Sequence, residues 1–116
     1  IATQFRRVED VAAEAHAVLS LVALASSDPA SAFARGNEVL NLAGKAILPR
    51  ESLGTGRVSE ALERLRHLAP LRKPAVLKAC AVAAAADAKI GVAEAELVRM
   101  VAATLDCPVP PLLTSS

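Results

Sequence analysis

Aromatic residues are almost missing from this chain: its 116 residues include no Trp, no Tyr and two Phe, Phe5 and Phe33. A core without large rings must be filled by alanine, leucine and valine. Small side chains let helix axes approach closely, so helices packed on helices are the expected solution. Runs of β-branched residues are also lacking, and strands are not expected. The same scarcity of rings removes the platform on which single-stranded nucleic acid stacks its bases. Charge of one sign is lacking too. Thirteen Lys and Arg stand against twelve Asp and Glu, for a net charge of +1, which sets up no field to attract nucleic acid or anionic lipid. Cysteine is limited to Cys80 and Cys107. Two thiols so far apart in sequence do not make a disulfide framework and suit a reducing, cytoplasmic setting.

Long apolar runs are absent as well. The longest are Val11–Ala25, interrupted by Glu14 and His16, and Ala75–Ala86, interrupted by Lys78. Both fall short of the ~20 clean residues of a membrane span. There is no signal-peptide pattern, and because the chain starts at Ile1 rather than Met it is expected to be a piece of a longer protein. A single domain over residues 1–116, with 107–116 as an extended tail, fits the usual range of about 50–250 residues.

What is present is helical periodicity. Val8, Val11, Ala15, Val18, Leu19, Val22 and Ala25 recur at i, i+3, i+4 and predict a first helix over Gln4–Ser26. Asp28 is a suitable N-cap and Pro29 a suitable first residue for a second helix, over Ala30–Ile47. Phe33, Leu40, Ala43 and Ile47 are its apolar stripe. Gly36 and Gly44 within it signal either close contact with a neighbouring helix or a kink. Leu48–Gly56 reads as the principal loop. A third helix is expected over Arg57–Leu68, with Val58, Leu62 and Leu65 inward. A fourth spans Lys73–Ala86 with Pro74 in its first turn. A fifth opens at Val92 or Ala93 and continues to about Leu105, with Leu97, Val98, Val101 and Leu105 inward. Cys107–Pro111 follows as a polyproline-like arm. The fold class is therefore all-α, a compact bundle of about five helices with Leu71–Leu105 as its central hairpin.

The search for chemistry returns little. His16 and His67 are isolated, with no HExxH and no second ligand one turn away, and are expected to be partly exposed helix residues. Cys80, on an alanine-rich helix, reads as a buried small hydrophobe, and Cys107 as more exposed. Gly54-Thr55-Gly56 is too short for a phosphate loop and follows no strand. Arg64, Arg66, Arg72, Lys73 and Lys78 form a local basic cluster, read as a solvated helix face that can still contact an acidic partner or lipid headgroups. The remaining candidate is the stretch from Asp87 to Glu94. Its two carboxylates build the corner between the fourth and fifth helices, Glu94 lying in the first turn of the fifth and Ile90 plugging the turn. The alternative use of Asp87 and Glu94 is as ligands of a hard cation such as Ca²⁺ or Mg²⁺, for which two carboxylates fall short of a full cage.

Asp87, Ile90 and Glu94 carry a first resemblance. Their spacing resembles the Asp-Gly-x-Ile-x-x-x-Glu corner of the TerB-like (tellurite-resistance) helical family, with Ala88 standing where the family has Gly. A second covers most of the chain, more firmly after Leu62. Leu71–Cys80 (LRKPAVLKAC), then Asp87, Glu94 and Leu97–Pro111 (LVRMVAATLDCPVPP), is similar to the C-terminal end of bacterial membrane-bound zinc metallopeptidases of the HtpX-like class, which often close with a leucine-rich helix and a Cys-Pro-x-Pro-Pro tail. These resemblances imply a TerB-like bundle and a parent protein with transmembrane helices and an HExxH zinc site upstream, the inner membrane as its place and this domain on the cytoplasmic side. They imply no catalytic residue and no cofactor in this chain, zinc belonging to the parent. The implied role is regulatory, with a protein partner or the parent's own catalytic domain, or a second copy, as the contact, and with neither nucleic acid nor a membrane span. A stand-alone TerB-like cation-binding or stress-response protein is the alternative.

Overall fold

The computed structural model describes residues 3–42, 44–86 and 90–108. Five α-helices run as α1 (Ala12–Leu24), α2 (Pro29–Leu40), α3 (Thr55–Leu65), α4 (Lys73–Ala84) and α5 (Val92–Leu105). Short 3-10 turns precede α1 at Val8–Val11 and α3 at Arg50–Ser52. Among the described residues no strand forms, and the one β-bridge joins Phe5 to Leu68. The all-α class and the helix count are thus as expected.

The helix that organises the bundle is α1. Ala15, His16, Ala17, Val18, Leu19, Ser20, Val22 and Ala23 are all buried, and α1 packs against each of the other four helices. The fourth and fifth helices do form a sequential pair, but α4 makes its most extensive contact with α2 rather than α5. α1 and α4 together therefore form the centre of the bundle, with α5 more peripheral.

α2 and α4 approach each other closely at Gly36. A Cβ at Gly36 would lie 2.7 Å from Leu19 Cδ1, 2.8 Å from the Ala79 carbonyl oxygen and 3.2 Å from Ala83 Cβ. The facing residues of α4 are alanines, Ala79 and Ala83, both fully buried. A glycine meeting alanines brings two backbones together, so contact replaces the bulk that aromatic side chains would supply.

Helix starts follow the local signals. Asp28 Oδ1 accepts from Ser31 N–H at 3.4 Å, and Pro29 opens α2. Pro74 sits in the first turn of α4. Helix ends do not all follow. The expected second helix reached Ile47, whereas α2 stops at Leu40 because Asn41 adopts the left-handed conformation, φ 55°. Asn37 then clamps the next residue, its Oδ1 accepting from Leu42 N–H (2.8 Å) and its Nδ2 donating to Leu42 O (3.1 Å). Asparagine tolerates positive φ and competes for backbone hydrogen bonds, so it ends helices that apolar periodicity alone would extend. Gly44, at φ 69°, belongs to the connection that follows and has no heavy atom near its missing Cβ, so of the two readings of these glycines, close contact or a kink, close contact holds at Gly36 and not at Gly44. Ala43 lies outside the described residues. The first helix is likewise shorter than Gln4–Ser26. Its N-terminal part is extended chain, held where Gln4 and Phe5 N–H donate to His67 O and Ala69 N–H donates to Phe5 O.

The connection from α2 to α3 is strapped across α1. His16 Nε2 hydrogen-bonds Ala46 O at 2.6 Å, and Leu48 N–H donates to Ser20 Oγ at 3.1 Å. His16 and Ser20 are one helical turn apart, so two polar side chains on the same face of α1 hold one segment. His16 is therefore 8% exposed and meets the Phe33 ring edge-on at 5.6 Å, a correction to its expected partial exposure. A carbonyl acceptor supplied from 30 residues away in sequence makes this burial affordable. Ser20→Ala should destabilise the fold by about 1–2 kcal/mol, because the Leu48 N–H loses its acceptor. Hydrogen exchange checks it: the Leu48 amide should lose protection more than amides within α1.

Candidate functional site

Glu94 is buried, and its Oε1 accepts from the Gly91 backbone N–H at 3.2 Å. This is the first-turn capping expected of it. Gly91 leaves room for the carboxylate to fold back, since a Cβ there would lie 3.1 Å from Glu94 Oε1. Ile90 is half-buried against the core, as a turn plug should be. The other acid of the corner, Asp87, lies outside the described residues. Among the described residues no three His, Cys, Asp or Glu side chains are grouped to hold a metal ion.

The two thiols differ as expected. Cys80 is fully buried in α4, and burial pushes its pKa from 9.0 up to about 12. Cys107 is half-exposed just past α5, and its Sγ lies 3.6 Å from Leu105 O. At pH 8 a thiol reagent such as dithionitrobenzoate should titrate Cys107 alone in the native protein and reach Cys80 only on unfolding. Because the Cys80 pKa is raised in the folded state, its contribution to stability is complete below pH 9.0 and is lost as pH climbs towards about 12. Cys80→Ala should flatten that part of the alkaline stability profile, read by urea unfolding across the range.

The basic residues that cluster in sequence are divided among different surroundings, with only Arg66 and Lys73 lining the same groove. Arg64 bonds Glu14 Oε2 at 2.7 Å and lies over the Phe5 ring, 5.0 Å from its centroid. Arg66 pairs with Glu63 at 2.8 Å. Lys78 is exposed on α4. Lys73 lines a groove of about 800 Å³ between the end of α3 and the end of α5, together with Leu62, Glu63, Arg66, Leu105 and Cys107. That groove mixes both signs of charge, and among the described residues no histidine lines it beside the Cys107 thiol.

Arg72 turns the other way. It lines a cleft of about 230 Å³ with Arg7, Val8, Val39, Leu40 and Ala75, and with Glu9 at its side. Arg7 and Arg72 are 65 positions apart, and nothing in their local sequence marks them as partners. Only the docking of the first 3-10 turn beside the start of α4 brings them to one opening. No helix among the described residues is long and apolar enough to cross a membrane. Comparison of the chain with protein-family models, with curated proteins and with solved structures finds no match.

Proposed function

We propose that this chain is a non-catalytic interaction domain, the cytoplasmic C-terminal part of a membrane-bound zinc metallopeptidase. The observation that carries the reading is the α4–α5 pair. It holds the residues of the resemblance: Pro74 in the first turn of α4, Ile90 and Glu94 at the corner, and Cys107-Pro108 beyond the end of α5. The use of Glu94 as a helix cap supports a structural corner over a cation ligand. The half-exposed groove and the arginine-lined cleft support a role in protein contact. The contact is a protein partner or the parent's own catalytic domain.

The reading frame containing Ile1 decides the matter. It should encode membrane helices and an HExxH motif upstream, and the full-length product should bind zinc while the 116-residue chain alone binds none. A frame with no HExxH would overturn the reading.

A further inference from the structure

We propose that the cleft between Arg7 and Arg72 docks a peptide segment that sets carboxylate side chains beside apolar ones. The inference deepens the interaction-domain reading and rests on it. Three elements build the cleft: the first 3-10 turn, the end of α2 and the start of α4. Its floor is Val8, Val39, Leu40 and Ala75, all half-exposed. Apolar surface left open in this way gains from being covered.

The charge beside that floor selects what covers it. Among the described residues, the guanidinium groups of Arg7 and Arg72 enter no ion pair, whereas those of Arg64 and Arg66 each hold a carboxylate. Glu9 flanks the cleft but pairs with neither arginine. The backbones that carry the two arginines are fixed. Arg7 N–H donates to Asp10 Oδ2 at 3.2 Å, and Arg72 N–H donates to Ala69 O at 2.8 Å. Guanidinium is weakly hydrated, bonds carboxylate in a two-pronged fashion and is enriched at the centres of protein contacts. Two such groups lining one cleft with apolar side chains are complementary to an acidic, leucine-bearing segment. A lipid surface fits less well, because basic lipid-binding patches gather about four to eight Lys or Arg. Nucleic acid lacks the apolar side chains that the floor would cover.

The test uses the 116-residue chain and a fluorescein-labelled peptide, Leu-Glu-Glu-Leu-Leu-Glu-Glu-Leu, followed by fluorescence anisotropy. Binding should weaken about tenfold or more when Gln replaces Glu in the peptide, and by a similar factor in Arg7→Ala/Arg72→Ala, the scale of a lost charge-assisted hydrogen bond. Lys45→Ala/Lys78→Ala removes the same charge from exposed sites outside the cleft and should bind as the parent does. Arg7→Lys/Arg72→Lys keeps the charge and should still weaken binding, reporting the two-pronged geometry. Equal loss in both alanine pairs, or indifference to Gln for Glu, would overturn the proposal. So would Arg7- and Arg72-dependent binding to phosphatidylserine vesicles with none to the peptide. The peptide measurement is independent of what lies upstream of Ile1, so a missing HExxH and an empty cleft are separate failures.

Discussion

Gly36→Ala should lower stability by about 2 kcal/mol, which for a domain of this size is a drop in Tm of roughly 8 °C. The sign is opposite to that of helix propensity, which favours Ala over Gly by about 1 kcal/mol in a helix interior. Packing wins because of what the added methyl meets. Leu19 Cδ1, at 2.7 Å, is the end of a side chain, but that side chain is fully buried and has nowhere to swing. The Ala79 carbonyl oxygen, at 2.8 Å, is backbone and moves only if α4 moves. The two helices must separate, and the layer of α1 beneath them opens. Gly56→Ala is the control. Gly56 is an exposed residue in the first turn of α3 with no heavy atom near its missing Cβ, so the same change there should stabilise by about 0.5 kcal/mol. Thermal unfolding of the two variants side by side separates propensity from packing.

Leu19→Ala should cost about 3 kcal/mol, because a fully buried leucine in the middle of α1 leaves a cavity that rigid neighbours fill only in part. Its coupling to Gly36 is informative. In Leu19→Ala/Gly36→Ala the side-chain collision disappears while the collision with the Ala79 carbonyl remains. The double variant should therefore be less destabilised than the sum of the singles, by about 1 kcal/mol, and should not recover parental stability. Urea unfolding with an unchanged m-value is the measurement. Strict additivity would mean that Leu19 gives way freely and that the backbone contact alone sets the cost.

Both predictions concern contacts that periodicity does not disclose. Ala-rich helices such as α1 and α4 are apolar on nearly every side, so the pattern says that they are buried without saying which face meets which neighbour. Leu71–Leu105 stood out in sequence because two helices and a short turn are legible locally. The seating of α4 on α2 was not, because that contact joins helices that are distant in the chain.

The same division runs through the candidate sites. The sequence by itself determined the helical class, the number of helices, and their starts at Asp28-Pro29, near Pro74 and, to within a residue, at Val92. It also determined the burial of Cys80 and the capping place of Glu94. Each of these depends on residues within a turn or two of one another, through hydrogen bonds and dihedral preferences that short range decides. Only the tertiary structure decided that His16 is buried under Ala46, that Arg64 is taken up by Glu14 and Phe5, and that Arg7 and Arg72 line one cleft with apolar side chains. Those pairings depend on where helices cross, and in this chain the crossings are set by one glycine and a few alanines whose small size leaves no mark in the hydrophobic pattern.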